Sequence, residues 1–253
     1  MSSIIKTEGL GIRFGGLRAV SNFNIDIKNG ELVGLIGPNG AGKTTVFNML
    51  TGVYHPSEGE YFINGAPIKK KRPDQIVKMG VARTFQNIRL FKKLSVIENV
   101  MIAANQHLKY SVFSSMLRLP LFWKEEKEVR ERALSILDVF GMRLHADVMA
   151  DSLPYGQQRK LEIARALATE PQILLLDEPA AGMNPTETNE LMATIKLIRE
   201  KFNITILLIE HDMSLVMGIC ERIVVLDYGL IIAEGLPEEV VKNPKVIAAY
   251  LGE

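Results

Sequence analysis

Runs of apolar residues recur along the chain, and each is followed by a stretch in which apolar residues repeat with a helical period. Nearly uninterrupted apolar runs occupy residues 32–36, 173–176 and 204–209. Such runs are typical of strands buried on both faces of a parallel sheet. Helical spacing follows these runs at residues 46–50, 186–202 and 213–220, and it also occurs at residues 155–168. The two patterns together predict an α/β fold with a parallel-type core.

Shorter alternating segments predict further strands. They lie at residues 4–20, 25–27, 61–63, 81–86, 223–226 and 230–233. Turn-forming pairs separate them at Gly15-Gly16, Asn64-Gly65 and Tyr228-Gly229, and we interpret Asn29-Gly30 as a hairpin turn leading into the run at 32–36. The sequence thus predicts antiparallel strands first and buried strands afterwards. Residues 237–253 are predicted to be helical, with a break at Pro244.

Between the first and second buried runs the chain changes character. Residues 96–104 have helical spacing, residues 109–123 are irregular, and residues 124–140 show the charged amphipathic pattern of a surface helix. We interpret this part as a helical lobe inserted into the α/β core. Its apolar stretch at 117–123 either packs within the lobe or forms a docking surface, and we favour packing.

This change of pattern sets the domain boundaries that we predict. Residues 1–94 hold the antiparallel strands and the first buried strand, and residues 95–168 form the helical lobe. Residues 169–253 return to the core.

Composition excludes several classes of protein. A formal net charge of +1, from 30 basic and 29 acidic residues, argues against nucleic acid as the main partner. The single cysteine, Cys220, excludes an internal disulfide and a cysteine-based metal site. No stretch reaches the roughly 18–20 apolar residues that span a bilayer. We therefore expect a soluble protein in a reducing compartment, with any membrane role supplied by a partner.

Between the first buried run and its helix lies the pattern G-x-x-x-x-G-K-[ST], which binds phosphate. It comprises Gly37, Pro38, Asn39, Gly40, Ala41, Gly42, Lys43, Thr44 and Thr45. The glycines let backbone N–H groups turn inward around phosphate oxygens, and the helix adds its positive dipole end. Lys43 can reach the β- and γ-phosphates of ATP, and the Thr44 hydroxyl can ligate Mg²⁺. The alternative is a glycine-rich turn with an incidental lysine, which the flanking strand and helix argue against.

Two other buried runs end in ionisable residues. Asp177 and Glu178 follow the second run, and His211 follows the third. Because the carboxyl ends of parallel strands converge on the nucleotide, Asp177 is a candidate for the Mg²⁺ shell and Glu178 for the general base. A solvated turn is the alternative for the two acids. A γ-phosphate sensor and a structural histidine are the alternatives for His211.

These motifs, in this order, resemble those of the ATP-binding subunits of ABC transporters, over essentially the whole chain. Residues 37–45 match the Walker A loop, residues 173–177 match Walker B, Glu178 matches the catalytic glutamate and His211 matches the switch histidine. Gln86 matches the Q-loop glutamine, which in this family contacts Mg²⁺ and couples to the membrane domain. Phe14 matches the aromatic residue that stacks on adenine, although by itself it is better explained as a core phenylalanine.

The resemblance also covers the family's signature motif, which Leu153-Pro154-Tyr155-Gly156-Gln157 matches within the helical lobe. The family's motif usually has serine and glycine where Pro154 and Tyr155 stand, and its D-loop usually has aspartate where Asn184 stands. The resemblance implies that Tyr155, Gly156 and Gln157 contact the nucleotide of a facing subunit. In the family the serine hydroxyl at the position of Pro154 touches the γ-phosphate, and proline lacks that hydroxyl.

A P-loop NTPase fold follows from the resemblance, with a RecA-like core, an antiparallel β subdomain and an inserted helical lobe. It also implies an ATPase that binds ATP and Mg²⁺ and pairs head to tail with a second ATPase subunit. Its expected partners are integral membrane permease subunits and, indirectly, an extracytoplasmic solute-binding protein. Its expected place is the cytoplasmic face of the inner membrane.

A finer resemblance points to the solute. Segments 13–17, 83–86, 155–159, 210–213 and 250–253, together with the insert at 105–123, resemble the larger ATPase subunit of bacterial branched-chain amino-acid importers. The alternatives are an ATPase for urea or amide uptake or lipopolysaccharide export, a soluble ABC ATPase without a transport role, and a degenerate regulatory module. Retention of Lys43, Asp177, Glu178 and His211 argues against the last.

Overall fold

The structure, a computed structural model, describes residues 2–68, 70–104 and 120–251, and the side chains from residue 123 onward in the last range. The predictions for residues 105–119 and for Gly252-Glu253 lie outside the described residues. The chain divides into two compact units. We call Met1–Gln86 with Gln172–Glu253 the core unit, and Asn87–Pro171 the helical unit.

Eleven strands are described, all in the core unit. In chain order they are β1 (Ser3–Phe14), β2 (Leu17–Phe23), β3 (Asp26–Lys28), β4 (Leu32–Ile36), β5 (Glu58–Ile63), β6 (Ala66–Pro67), β7 (Val81–Arg83), β8 (Ile173–Asp177), β9 (Thr205–Ile209), β10 (Arg222–Asp227) and β11 (Leu230–Gly235). The α-helices are α1 (Lys43–Leu50), α2 (Pro73–Lys78), α3 (Val96–Ala104), α4 (Pro120–Val139), α5 (Tyr155–Leu167), α6 (Pro185–Phe202), α7 (Met213–Ile219), α8 (Pro237–Val240) and α9 (Pro244–Leu251). Across the described residues, none of the helices combines the length and the apolar character that crossing a bilayer requires.

A six-stranded sheet with the order β11-β10-β4-β9-β8-β7 forms the centre of the core unit. Every neighbouring pair is parallel except β10 and β11, which form an antiparallel hairpin around Tyr228-Gly229. All residues of β4, β8 and β9 are buried. The continuous apolar runs therefore correctly predicted the central strands, because only a strand covered on both faces needs apolar residues at successive positions.

The second sheet of the core unit is antiparallel, with the order β2-β1-β5-β6 and β3 paired to β1. The predicted turns at Gly15-Gly16 and Asn64-Gly65 join β1 to β2 and β5 to β6. The hairpin predicted at Asn29-Gly30 is wrong, because β3 pairs with β1 whereas β4 pairs with β9 and β10. The turn itself exists, closed by the Glu31 N–H donating to the Lys28 carbonyl at 3.1 Å. It carries the chain from one sheet to the other, since burial on both faces places β4 in the parallel sheet.

Two predicted boundaries need correction. The strand predicted at 81–86 ends at Arg83, followed by one further ladder bond from the Thr84 N–H to the Leu175 carbonyl at 3.0 Å. The irregular region predicted at 109–123 is wrong for its last four residues, since α4 begins at Pro120. Proline fits the first helical position because its missing N–H has no partner there in any helix.

Within the helical unit, α3 packs against both α4 and α5. The apolar side of α4 is formed by Ala133, Ile136 and Leu137, which are buried. Trp123, the one member of the 117–123 stretch whose side chain is described, is 57% exposed. The exposure of Trp123 does not fit the packing within the lobe that we favoured for this stretch.

Candidate nucleotide-binding site

The phosphate-binding pattern forms a tight loop between β4 and α1. Gly37 and Gly42 have φ angles of 151° and 104°, which favour glycine. A Cβ atom at Gly37 would lie 1.9 Å from the Leu226 carbonyl oxygen, so no other residue fits there. Gly42 is the N-cap of α1, and among the described residues no side chain caps that helix. The start of α1 is thus left to a ligand with acceptor oxygens.

An open pocket of about 600 Å³ lies beside this loop. Its lining comprises Phe14, Leu17, Arg18, Ala19, Asn39, Gly40, Ala41, Gly42, Lys43, Thr44, Thr45, Gln86, Glu178 and Tyr228. Phe14 is 44% exposed, and its ring meets that of Tyr54 edge to face with centroids 5.2 Å apart. The expectation that Phe14 by itself is a core residue is therefore wrong. Its ring belongs to the wall of the pocket.

The Lys43 side chain lies inside the loop. Its ammonium donates to the carbonyl oxygens of Gly37 at 2.7 Å and Pro38 at 2.9 Å. Burial lowers the pKa of Lys43, and the nearby carboxylates of Glu178 and Asp177 partly offset that effect. A partly desolvated cation held by two neutral carbonyls is well suited to an anionic ligand.

Glu178 lies at the end of β8 with its carboxylate toward the pocket. The Gln86 amide donates to Glu178 Oε2 at 2.7 Å, and His211 Nδ1 lies 3.6 Å from the same oxygen. The Glu178 side chain is 19% exposed, so the two acids do not form a solvated turn. The structure thus brings together the three residues that the sequence placed at the ends of β7, β8 and β9.

Asp177 is buried and paired with Arg83, a residue that the sequence analysis includes only within the segment 83–86. Arg83 Nη2 lies 2.6 Å from Asp177 Oδ2, and its guanidinium carbon lies over the rings of Phe47 and Phe85, 5.5 Å and 5.1 Å from their centroids. Arg83 Nη1 also donates to Asn48 at 2.7 Å. The sequence does carry one sign of this pair. Arg83 ends the strand next to β8, and because neighbouring parallel strands end at the same edge of a sheet, a basic residue there is close to Asp177.

The three predicted metal ligands suit Mg²⁺ by chemistry. Thr44 and Gln86 line the pocket, and Asp177 ends the strand beside it. They offer a hydroxyl, an amide oxygen and a carboxylate, which are hard oxygen donors. Mg²⁺ in nucleotide sites takes few protein ligands and completes its shell with phosphate oxygens and water. The residues present therefore fit the ion.

The signature segment belongs to the helical unit, and its residues begin α5. Tyr155 is partly exposed and Gly156 is buried. Pro154 is the N-cap of this helix, with φ −54° and ψ 152°, and within the described part of the chain no side chain caps α5. Tyr155, Gly156 and Gln157 do not line the pocket of the core unit.

Asn184, which departs from the family's D-loop, has a local structural role. It is the N-cap of α6, and its side chain accepts from the Glu187 N–H at 3.0 Å. The Glu187 carboxylate accepts from the Asn184 N–H at 3.0 Å. This capping box explains an amide at position 184, since asparagine is among the best N-cap residues.

A parallel sheet, a glycine loop that leads into a helix, and acids at the neighbouring strand ends define a P-loop nucleotide-binding protein. The profile of the ABC transporter family matches residues 20–181, and that of a family described as branched-chain amino acid ATP-binding cassette transporter matches residues 231–253. The chain belongs to the ABC transporter family, as an ATPase subunit.

Relatives of known name match the whole chain. The high-affinity branched-chain amino acid transport ATP-binding protein LivG of Escherichia coli K12 is 51% identical, covering 99% of this chain and 98% of its own. BraF of Pseudomonas aeruginosa, with the same description, is 48% identical over the same shares.

Solved structures agree with the fold. The ADP conformation of MJ1267, an ATP-binding cassette of an ABC transporter, is 32% identical with a TM-score of 0.87 over 100% of both chains. The ATP-binding cassette MJ0796, in a dimeric post-hydrolysis state with ADP and Pi, is 27% identical with a TM-score of 0.77, covering 92% of this chain and 98% of its own. The α/β cassette fold predicted from the sequence is confirmed.

Proposed function

We propose that this chain energises the uptake of branched-chain amino acids, as the ATP-hydrolysing subunit of an importer. The solute is supported by the names of relatives that are 51% and 48% identical over the full chain. It is also supported by the match of residues 231–253 to a profile named for branched-chain amino acids. Urea or amide uptake and lipopolysaccharide export are the competing roles.

The observation that carries the catalytic role is the meeting of Gln86 and His211 at one oxygen of Glu178. These contacts, of 2.7 Å and 3.6 Å, occur at a pocket that Lys43 also lines. In our proposal Glu178 is the general base that polarises the attacking water, and His211 donates to the γ-phosphate. Gln86 orients Glu178 and would be a ligand of the metal ion.

Binding of the nucleotide is assigned to the loop and to Phe14. Lys43 pairs with the β- and γ-phosphates, the N–H groups of the loop and of the start of α1 surround them, and the Phe14 ring stacks on adenine. Thr44, Gln86 and Asp177 would hold Mg²⁺. When bound, the ion would supply positive charge that stabilises the phosphates during transfer.

Coupling requires partners. We propose a head-to-tail dimer in which Tyr155, Gly156 and Gln157 of one chain contact the ATP of the other. A solved relative that is dimeric in a post-hydrolysis state supports the pairing of two ATPase chains. The loop of residues 87–93 after Gln86 then passes the motion to permease subunits at the cytoplasmic face of the membrane. ATP binds more tightly to the dimer than to the separated chains, and this difference in binding free energy drives the motion.

Co-purification with a trapped variant tests this function. A tagged Glu178→Gln chain, produced in its own host and solubilised from membranes with MgATP, should retain integral membrane partners and a solute-binding protein. A tagged Lys43→Ala chain, which should not be trapped by ATP, is the matched control for the nucleotide-stabilised dimer. Recovery of no integral membrane protein with either chain would favour the soluble ABC ATPase.

The solute is tested with the wild-type complex in proteoliposomes. Leucine, isoleucine or valine with the solute-binding protein should stimulate ATP hydrolysis. Stimulation by urea or amides instead would support the competing uptake roles. Extraction of lipopolysaccharide from the membrane, with no response to any small solute, would support export.

A further inference from the structure

Glu210 is a buried carboxylate that the proposed mechanism does not use. It directly follows β9 and is 1% exposed. Its Oε1 accepts from the Ala180 N–H at 2.8 Å. Its Oε2 accepts from the N–H groups of His211 at 3.0 Å and Asp212 at 3.3 Å. One side chain thus joins two backbone segments that lie 30 residues apart in sequence.

Both segments carry residues of the site. Ala180 is two residues beyond Glu178, and the Ala181 N–H donates to the Glu178 carbonyl at 3.2 Å, which closes a turn. His211 is the residue whose ring lies 3.6 Å from the Glu178 carboxylate. Glu210 therefore holds the turn that presents Glu178 and the strand end that presents His211.

The backbone of Glu178 needs such support. Its φ angle is 46°, in the left-handed region that residues other than glycine adopt at a cost. A strained residue keeps that conformation only where surrounding bonds determine it. The Glu178 N–H donates to the Ile209 carbonyl at 2.9 Å, and two residues later Glu210 accepts from Ala180. The end of β9 thus fixes this turn on both sides of the strained residue.

We propose that Glu210 is a positioning residue that keeps the Glu178 carboxylate and the His211 ring in reacting geometry. The inference rests on the proposed roles of those two residues. It does not extend to the P-loop, since Glu210 contacts neither the loop nor α1 through any described hydrogen bond or ion pair.

An ionised carboxylate is suited to this position. It offers acceptor sites only, so it can take all three N–H donors, whereas a glutamine must turn its NH₂ toward one of the two segments. The NH₂ group would then face a backbone N–H, which is also a donor, and the hydrogen bond to that segment would be lost. Burial raises the pKa of Glu210, and the three N–H groups and His211 offset only part of that increase.

The test is the steady-state ATPase of the purified Glu210→Gln chain. We expect kcat to fall by about 10- to 100-fold, since small misplacements of reacting groups have effects of this size. The KM for ATP and the affinity for MgADP should stay within about twofold, because the phosphate contacts are intact. Glu31→Gln is the matched control. Glu31 is a carboxylate of the core unit with a side chain 16% exposed, and it accepts the Lys28 N–H at 2.9 Å and pairs with Arg222 at 2.6 Å, but it lies outside the pocket.

A second variant separates positioning from simple damage. Adding Glu210→Gln to Glu178→Gln should produce a smaller fold-loss of turnover than Glu210→Gln causes in the wild-type chain, because part of its effect passes through Glu178. Hydrogen exchange should show faster exchange at Ala180 or at His211 and Asp212 in Glu210→Gln, with other strands of the core unit still protected. An unchanged kcat in Glu210→Gln, or an equal loss in Glu31→Gln, would overturn the inference. Failure of the proposed roles has a different signature, namely full turnover by Glu178→Gln.

Discussion

Arg83 and Asp177 form an ion pair almost wholly removed from solvent, with Nη2 and Oδ2 2.6 Å apart and side-chain exposures of 7% and 5%. The rings of Phe47 and Phe85 flank the guanidinium. The stability of the fold is sensitive to the loss of either residue, because the remaining partner would be a buried charge without a counter-charge. The pair ties β7 to the Walker B strand at the point where the metal is expected.

Arg83→Met should therefore destabilise the chain strongly. Removing one partner of a buried pair costs about 3–5 kcal/mol. Urea unfolding followed by fluorescence measures the loss, and adding Asp177→Asn to Arg83→Met should cost less than the two single changes summed. Arg13→Met is the control, because its pair with Glu58 is half exposed and should contribute little. Equal stability of the two arginine variants would contradict this account.

The Lys43 ammonium is expected to carry much of the nucleotide affinity. It lies in the loop at 2.7 Å and 2.9 Å from two carbonyl oxygens, already stripped of much of its water. Lys43→Ala should abolish or greatly weaken MgATP binding, because the charge that meets the β- and γ-phosphates is lost. Titration calorimetry measures the affinity, with the exposed-lysine variant Lys196→Ala as control. Unchanged affinity in Lys43→Ala would reject the phosphate-loop assignment.

Glu178→Gln should separate binding from hydrolysis. Glutamine keeps the size of the side chain and can still accept from Gln86, but it cannot take a proton from water. We expect nucleotide binding to persist and turnover to fall by about 10² or more. A phosphate-release assay measures turnover, and Glu200→Gln, an exposed change on α6, controls for loss of charge. Near-normal turnover would remove Glu178 from the role of base.

Whether a part of this site could be predicted from the sequence depends on how far apart in sequence the interacting residues lie. The Walker A loop was predictable because its residues are contiguous and act through backbone groups. β8 and β9 were predictable because their burial is recorded in successive apolar residues. Arg83 and Glu210 were not identified, since their partners lie 94 and 30 residues away and only the sheet brings them together. The wrong hairpin at Asn29-Gly30 has the same origin, because a turn signal is local whereas strand pairing is decided by burial.

Cys220 should be a reporter of unfolding. Burial raises the pKa of its thiol to about 12, and the carboxylates of Glu210 and Glu221 add to the effect. Only the thiolate is nucleophilic, so reaction with a disulfide reagent at pH 8 should be very slow in the folded chain. In urea the thiol returns to a pKa of about 8.5 and should react at once. Fast reaction of the folded chain at pH 8 would contradict the burial of this residue.

Pro154 offers the sharpest test of the signature segment. At the N-cap of α5 it supplies neither a hydroxyl for the γ-phosphate nor a cap for the helix. The advantage expected of proline in the first turn does not apply at this position. Serine at an N-cap stabilises a helix by about 0.5–2 kcal/mol, and a hydrogen bond to a charged group adds about 1.5–3 kcal/mol. Only the hydrogen bond to the γ-phosphate is made in the dimer alone, so it is the effect that shifts dimerisation.

Pro154→Ser in the Glu178→Gln background should therefore lower the ATP concentration at which half of the chains are dimeric. Light scattering during an ATP titration measures that concentration. Pro154→Ala is the control, since alanine removes the proline ring without adding a hydroxyl. If alanine matched serine, the gain would come from the loss of proline and not from the hydroxyl. A higher concentration for serine would mean that proline serves this helix start better, and the proposed contact across the dimer would have to be abandoned.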